Sequence, residues 1–499
     1  ILKCGASDNF PFESGGAHIR DSYINEMSQL GDLRMDERSN EFAVLYLNGQ
    51  YWGVYDIREK TDDSDFTDYY YDQDVPNIQY LKTWGQTWEE YGEPNSQDDW
   101  DDLVDFIDNN NMTVPANYDY VDSVYNTGSL IDYFILNGFV VCADWLNWNT
   151  GWWRGMDPAG DKKKWRYTLW DMDASFGHYI NYTGVPSQSA NADPCDPESL
   201  GNPGGQGHVP IWNKLQTNDD FFADYINRYA ELTSTVFTCD SMHNLLDRMV
   251  AEIQPEMQRH ANRWNGNYNT WLSNVQDIHD FIDTRCVDVP AGLVNCNPEI
   301  SGPYEVVFNV DPPLSGEIEL SSLTPATYPY TSTYFGGVNI DIDADALPGW
   351  VFDYWTIAND TLLPDTLSEN VLFDLSGNDS LVAHFVPDVV VPQDTITFIV
   401  SGAGSGTIDI NGTNQSAFPH TDFFNSGSLL TLAANANPGF LFSNWSLTNN
   451  VANPNNTSSN IAINLNGNDT IYAFFDPIPV DTLVFIVNPL GAGNLTINR

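Results

Sequence analysis

The stretch RYTLWDMDASFG, residues 166–177, joins an apolar run to two closely spaced carboxylates. Tyr167 to Trp170 predict a short strand that ends on Asp171, followed by Asp173 and by the dipeptide at 176–177. Acidic residues at a strand end often do no more than form a turn. They can also form a metal site, because Mg²⁺ prefers hard oxygen ligands such as carboxylates.

A second stretch, ADWLNWN at residues 143–149, supplies a further carboxylate and an amide. Asp144 and Asn149 are five residues apart, as are the catalytic Asp and metal-binding Asn of protein kinases. We predict that both meet Asp171 in one cleft, with Asp144 facing an incoming hydroxyl and the other two facing Mg²⁺. Turn chemistry is the alternative for either stretch taken alone.

The composition indicates a folded, acidic protein of more than one domain. Its 499 residues are 42% hydrophobic, and 69 Asp and Glu against 19 Lys and Arg give a formal net charge of -50. That charge excludes a nucleic-acid partner, which needs a basic face. The acidic surface either offers oxygen ligands to Ca²⁺ or simply keeps the protein solvated. No Lys or Arg lies between Arg285 and Arg499, which indicates a domain boundary near residue 300.

The region before this boundary has mixed periodicity, which predicts an α+β fold with a small sheet first and a helical body last. The predicted elements are a helix over Ile19–Leu30, a hairpin over Phe42–Ile57 turning at Asn48-Gly49, a helix over Ile131–Val141, strands flanking Arg154 and Leu169, and a helical run over Ile211–Arg285.

The region after the boundary is repetitive. Phe308, Phe398 and Phe485 open three similar runs, and Gly377-Asn378-Asp379 recurs as Gly467-Asn468-Asp469. Trp355 and Trp445 each follow a Pro-Gly-aromatic triplet at the same offset. Alternation of apolar and polar residues predicts all-β modules at 303–388 and 394–477 and a truncated module at 481–499, after a first domain at 1–297.

Several stretches of the first domain resemble the spore coat protein H (CotH) family of atypical protein kinases. They are FAVLYLNGQYWGVYDIREK (42–60), HIRDSYINEMSQLG (18–31), ADWLNWNTGWWR (143–154), RYTLWDMDASFG (166–177), RYAELTSTVF (228–237) and PEMQRHANRW (255–264). The resemblance spans about residues 1 to 290. It implies a two-lobed kinase-like domain that uses ATP and Mg²⁺, or Mn²⁺ in its place.

Carried over residue by residue, the resemblance makes Asp144 the catalytic carboxylate and Asn149 and Asp171 metal ligands, with Asp173 able to reach a second ion. Arg20 and Glu59 match family positions and are expected to bind the cofactor; a hairpin-end Glu can equally be a surface charge. The lysine-bearing strands of the family should lie upstream of Ile1, and Lys3 aligns as a strand residue rather than as the phosphate lysine. The small lobe is therefore expected to lack strands in this segment.

The sequences ANPGFLFSNWSL and NDTIYAFFDP resemble divergent InlB-type B-repeats of bacterial surface proteins. Such modules act as stalks or spacers, which implies a secreted or cell-surface protein. The chain begins and ends in strand-like sequence and has no apolar run of membrane-spanning length, so we expect a segment of a longer polypeptide or surface assembly.

The six cysteines form no CxxC pair and the eight histidines form no HExxH spacing, so a zinc site has no support from spacing. An even cysteine count suits an oxidising compartment, and Cys286 with Cys296 is the expected disulfide. Buried free thiols are the alternative.

Two functions follow from these observations. One is an extracellular kinase that phosphorylates Ser or Thr of secreted or surface proteins. The other is a kinase-like binding module on a β-repeat stalk. Transfer of a different part of the nucleotide is a third reading, since kinase-like folds host other chemistries.

Overall fold

In the computed structural model the described residues are 1–388 and 392–479. The chain divides into two compact units, Ile1–Pro387 and a second that begins at Asp388. The first unit holds an α+β body and one β-module, and the second holds a further β-module.

The first sheet of the body is three-stranded, in the order β1-β3-β2, and α1 follows β1 in sequence. Asn48 and Gly49 both have positive φ, at 51° and 77°, as the two central residues of a tight hairpin turn require. The predicted helix and hairpin are confirmed. Their bounds are β1 Leu2–Lys3, α1 Arg20–Leu30, β2 Asn40–Leu47 and β3 Gln50–Arg58.

A second, antiparallel sheet in the order β5-β4-β6-β7 carries the strands that precede and follow the predicted site. Behind it, the buried indole of Trp100 packs 5.5 Å from that of Trp152 and 5.4 Å from that of Trp165. The elements are α2 Ser64–Tyr71, β4 Ile78–Thr83, β5 Thr87–Tyr91, α3 Ser96–Asn109, α4 Pro115–Val124, α5 Thr127–Phe139, β6 Thr150–Gly155 and β7 Arg166–Thr168.

Four helices close the body, as the long helical periodicity predicts: α6 His208–Leu215, α7 Asp219–Ser234, α8 Cys239–Arg263 and α9 Tyr268–Cys296. Arg285 of α9 is fully buried and donates to the carbonyls of Phe139 and Gly138, both at 2.8 Å. This guanidinium caps the end of α5 and so fixes the start of the loop that carries Asp144.

The predicted disulfide between Cys286 and Cys296 is wrong. Both residues lie on α9, ten positions apart, which is about 15 Å along a helix and too far for a disulfide. The bonds are instead Cys195–Cys296 and Cys239–Cys286, and Cys4 and Cys142 are free. Both disulfides join segments that are remote in sequence, so short spacing was a misleading guide.

Each β-module has two four-stranded sheets, and in both modules one sheet has a parallel central pair: β8 with β15, and β16 with β23. The other sheet differs between the modules in its short edge strand, residues 361–363 in the first and residues 413–415 in the second, which pair with non-equivalent strands. The strands of the first are β8 Ser301–Asp311, β9 Gly316–Leu320, β10 Tyr330–Gly336, β11 Asn339–Ala346, β12 Trp350–Ile357, β13 Thr361–Leu363, β14 Val371–Asp374 and β15 Asp379–Pro387. Those of the second are β16 Gln393–Ser401, β17 Gly406–Ile410, β18 Thr413–Gln415, β19 His420–Asn425, β20 Leu429–Ala436, β21 Phe440–Ser446, β22 Asn460–Asn464 and β23 Asp469–Pro477.

The repeated tryptophans occupy equivalent positions, as predicted. Trp355 and Trp445 are 2% and 0% exposed, and each indole donates at 2.9 Å to the carbonyl thirteen residues later, of Ser368 and Ser458 respectively. The third predicted module, with Phe485, lies outside the described residues.

The repeated Gly-Asn-Asp motif clamps one turn in each module. Asp379 accepts hydrogen bonds from the amides of residues 358–360, and Asp469 accepts them from the amides of residues 448–450. The preceding Asn378 and Asn468 each accept from a backbone amide of the opening strand, at 3.0 and 2.7 Å. The motif is therefore structural, a buried cap for backbone donors.

The first module packs on the helical body, with α7 against β10. The Asn227 amide donates to the Asn339 carbonyl at 2.8 Å, and Glu231 accepts from the backbone amide of Ser322 at 3.3 Å. Burial raises the pKa of Glu231 to about 7, so this contact holds a carboxyl that is partly protonated at neutral pH.

We expect Trp445→Ala to destabilise the second module by about 3 to 5 kcal/mol, because it removes a fully buried indole and its hydrogen bond. The second module has a hydrophobic core of its own. Calorimetry of thermal unfolding should therefore show a lower transition temperature for the second module and an unchanged one for the first unit. Trp355→Ala is the matched variant and should lower the transition of the first unit. A single transition that moves equally in both variants would contradict this assignment.

Candidate active site

Asp144 and Asn149 lie on one tight loop between α5 and β6. The Asn149 side-chain amide donates to the Asp144 carboxylate at 2.9 Å, and Thr150 accepts from the Leu146 amide at 2.8 Å. Leu146 and Asn149 have positive φ, at 65° and 44°. The loop is thus held by its own polar side chains, in a backbone conformation that costs free energy and is found preferentially at functional sites.

Asp144 is 8% exposed, and its second carboxylate oxygen has no hydrogen-bond partner among the described residues. Burial, reinforced by the nearby negative charge of Asp171, raises the pKa of Asp144 to about 6. The negative charge of Asp171 thus acts on Asp144, and the meeting of both carboxylates in one cleft stays a prediction.

Asp171 lies three residues after the end of β7 and has a positive φ of 61°. Its carboxylate forms an ion pair with the ammonium group of Lys3. Burial lowers the pKa of Lys3, but the carboxylates of Asp21, Asp171 and Asp173 outweigh burial and raise it, so this lysine stays charged. Lys3 is a strand residue, as its alignment indicates, yet its side chain contacts Asp171, the carboxylate that the sequence predicts to bind metal.

Asp173 is 1% exposed and accepts from the Ser7 amide at 2.7 Å, while its other oxygen has no partner among the described residues. Burial and the charge of Asp171 raise its pKa well above the usual range. A buried carboxyl with an unpartnered oxygen beside a second carboxylate is a site that a cation would stabilise. The carboxylates of Asp144, Asp171 and Asp173 and the amide of Asn149 are of the hard-oxygen type that Mg²⁺ prefers, and their role as metal ligands stays a prediction.

Arg20 and Glu59 are placed differently. Arg20 is 2% exposed and pairs with Asp8, whose carboxylate also accepts from the amides of Ala17 and Ile19. Glu59 accepts from the Ser39 amide at 3.0 Å and the Tyr70 hydroxyl at 2.5 Å. The contacts found for both within residues 1–388 and 392–479 hold loops and do not involve Asp144 or Asp171. Cofactor binding by Arg20 and Glu59 stays a prediction.

Sequence reasoning missed Asp21, which holds the Asp171 loop in place. Its carboxylate accepts from the Met172 amide at 2.9 Å and from the Lys3 ammonium at 2.8 Å, and it pairs with Arg58. Burial would raise the pKa of Asp21, but Lys3 and Arg58 hold it well below the usual range. The sequence offered one indication of this role: Asp21 directly follows Arg20 in the helix that resembles the CotH family.

A second cation, Lys82 of β4, lies behind Trp170. Its ammonium pairs with Asp62 at 2.7 Å and sits 5.4 Å from the centre of the Trp170 ring. Burial would raise the pKa of Asp62, but its hydrogen bond and ion pair with Lys82 bring it below the usual range. The buried Lys82–Asp62 pair thus contacts Trp170, the residue that directly precedes Asp171.

An aromatic cluster borders the Asp144 loop. Trp148, between Asp144 and Asn149, lies 5.3 Å from the exposed Trp84 and 5.6 Å from Tyr182, measured between ring centres. These rings offer a stacking surface at the edge of the site.

The family model for the CotH kinase protein matches residues 17–287, which is more than half of the chain. The chain belongs to the CotH kinase family. Both stretches that carry the predicted site lie inside the match.

The model for the divergent InlB B-repeat domain matches residues 323–389 and 399–479. A CotH domain followed by InlB-type repeats is therefore the order along this chain, and repeats of this type are in keeping with a protein of the bacterial surface. In the described part of the chain, no helix combines the length and apolarity needed to cross a membrane.

No curated protein matches the chain. Among solved structures, it shows similarity to the major pilin protein (T-13) from Streptococcus pyogenes serotype GAS131465, at 10% identity over 36% of this chain and 99% of that chain. The TM-score is 0.11, so this similarity carries no argument about fold or function.

We expect Asp144→Asn to stabilise the metal-free protein at alkaline pH. The folded pKa of about 6 exceeds the unfolded value, so the wild-type carboxyl loses a proton on unfolding between roughly pH 4 and 6, and stability falls as pH rises through that window. Allowing for partial solvent screening, the gain for the Asp144→Asn variant is about 1 to 2 kcal/mol at pH 8.

Urea unfolding in EDTA at pH 4 and at pH 8 measures this difference, which should shrink toward zero at the lower pH. The exposed Asp105→Asn on α3 is the matched control and should change stability little at either pH. If Asp144→Asn and the wild type are equally stable at pH 8, the carboxyl is not held in an unfavourable environment.

Proposed function

We propose that this protein is a secreted or cell-surface kinase that transfers the γ-phosphate of ATP to Ser or Thr hydroxyls of extracellular proteins. The observation that supports the proposal is the hydrogen bond from Asn149 to the buried Asp144, whose second oxygen has no partner among the described residues and whose pKa is raised partly by the charge of Asp171. A buried carboxylate oxygen without a partner is unusual for a residue that only forms a turn.

Asp144 would act on the attacking hydroxyl. Its raised pKa leaves it largely ionised at pH 7 yet basic enough to accept a proton, which is the range a general base requires. The hydrogen bond from Asn149 fixes one carboxylate oxygen and leaves the other free for the substrate. Asp144 thus orients the hydroxyl before transfer and takes up its proton.

Asn149, Asp171 and Asp173 would hold the metal, with Mg²⁺ supplying charge neutralisation for the nucleotide phosphates. Lys3 already pairs with Asp171 and stays protonated, so its ammonium is the candidate to contact a phosphate oxygen. The exposed rings of Trp84 and Tyr182 would border the incoming substrate.

The alternative, a non-catalytic kinase-like module on a β-repeat stalk, is favoured by one feature. Lys3 pairs directly with Asp171, so this carboxylate has a cationic partner without a metal. A site that had lost catalysis could keep its shape through such an ion pair. Nucleotide binding and transfer therefore need to be measured separately.

We expect Asp171→Asn to abolish Mg²⁺-dependent ATP binding, because it removes a charged ligand, whereas Asp144→Asn should retain binding and lose transfer by a factor of about 10² or more. Binding is measured by calorimetry with and without Mg²⁺ or Mn²⁺. Transfer is measured with γ-labelled ATP, scored as autophosphorylation and as labelling of an added Ser/Thr-rich protein.

Asp105→Asn is again the control and should leave both activities unchanged. Label incorporated from α-labelled ATP would show transfer of a different part of the nucleotide. Tight Mg²⁺-dependent binding with no transfer in the wild type would favour the binding module, and absence of metal-dependent binding would overturn the proposed site.

A further inference from the structure

The two longest helices of the body, α8 and α9, present a row of paired side chains that plays no part in the proposed kinase site. On α8, Cys239, His243 and Asp247 are four residues apart and share one face. They meet Cys286, Asp283 and His279 of α9 in reverse order, so the helices run antiparallel.

At the centre of this row the two imidazoles face each other through the same nitrogen. The distance between Nδ1 of His243 and Nδ1 of His279 is 2.8 Å. The outer nitrogens face carboxylates: Nε2 of His243 lies 2.8 Å from Asp283, and Nε2 of His279 lies 3.4 Å from Asp247.

The contact with Asp283 fixes the ring proton of His243. A carboxylate only accepts hydrogen bonds, so Nε2 of His243 carries a hydrogen. A neutral imidazole has a single N–H, which leaves a lone pair on Nδ1 of His243. That lone pair faces Nδ1 of His279 at 2.8 Å, where it can accept either the N–H of that ring or a metal ion bound by both nitrogens.

We propose that His243 and His279 bind a divalent transition metal of the Zn²⁺, Co²⁺, Ni²⁺ or Cu²⁺ class through their Nδ1 atoms. Imidazole nitrogen suits these ions, and metal-bound histidines commonly donate their other ring N–H to a carboxylate, as His243 does here to Asp283. Asp283 and Asp247 are positioning residues that set the ring orientation. The remaining coordination positions are filled by water.

Metal binding requires a local movement of the two rings. Two metal–nitrogen bonds of about 2.0 to 2.1 Å at a tetrahedral angle place the nitrogens about 3.3 Å apart, so the rings have to separate by roughly half an ångström and turn until both Nδ1 atoms point at the ion. Their side chains are 24% and 17% exposed, which leaves room for that movement and for water to reach the ion.

The Cys239–Cys286 disulfide, one turn from His243, links the same two helices. It fixes the helix spacing independently of any metal, so the histidine pair is preorganised and loss of the ion should not unfold the body. The two histidines are 36 positions apart in the sequence, which explains why sequence spacing gave no sign of a site.

The test is a titration of tag-free, disulfide-intact protein with Zn²⁺ by calorimetry and with Co²⁺ by visible absorption, in excess Mg²⁺ so that oxygen ligands elsewhere are already occupied. We expect about one equivalent to bind with a Kd below about 100 µM. His243→Gln and His279→Gln should each weaken binding at least tenfold, and Asp283→Asn about tenfold. Circular dichroism checks that each variant is folded.

His384→Gln is the matched control, because His384 also faces a carboxylate, that of Asp311 at 3.1 Å, but has no second imidazole within its contacts. It should bind as the wild type does. Absence of saturable binding below about 1 mM would show that the pair shares only a proton. Binding that survives both histidine substitutions would place the metal elsewhere, and either result overturns the proposal.

Discussion

The Asp21 carboxylate is the contact on which the rest of the candidate site depends. It joins Lys3 of β1, Arg58 of β3 and the Met172 amide of the loop between Asp171 and Asp173. The helix that carries it, the first sheet and the metal-binding loop therefore share one buried anion. Its removal would leave Lys3 and Arg58 with one partner fewer in a buried setting, a change that is far more costly than loss of a surface ion pair.

The residues around Asp21 show which features of the site could be predicted from the sequence and which could not. The Asp144–Asn149 spacing and the strand before Asp171 are local features that the sequence shows directly, so Asp144, Asn149 and Asp171 could be named as candidate site residues. The pairing of Lys3 with Asp171 spans 168 residues. No local sequence pattern predicts this ion pair. The alignment of Lys3 as a strand residue was correct for its backbone but gave no information about the partner of its side chain.

The disulfides also depend on contacts between segments that are distant in sequence. Nearness in sequence favoured Cys286 with Cys296, but a helix separates those side chains along its axis. The cysteines pair instead according to how α8 packs on α9 and how the 195 region packs on the end of α9. The β-modules were more predictable because their decisive contacts are short in sequence: the indole-to-carbonyl bond spans thirteen residues in each repeat and repeats with the sequence itself.

The distribution of charge has a consequence for any anionic ligand. Many cations of the body are committed to internal pairs: Lys3 with Asp21, Arg20 with Asp8, Lys82 with Asp62, Arg166 with Asp36 and Arg228 with Asp132. The surface is thus dominated by carboxylates, in keeping with the net charge of -50, and it repels a nucleotide at long range. At physiological ionic strength this repulsion is screened beyond about 8 Å, whereas an ammonium in direct contact with a phosphate is screened far less. Salt should therefore assist the approach of a nucleotide, and the few cations at the site, Lys3 above all, would decide whether it stays bound.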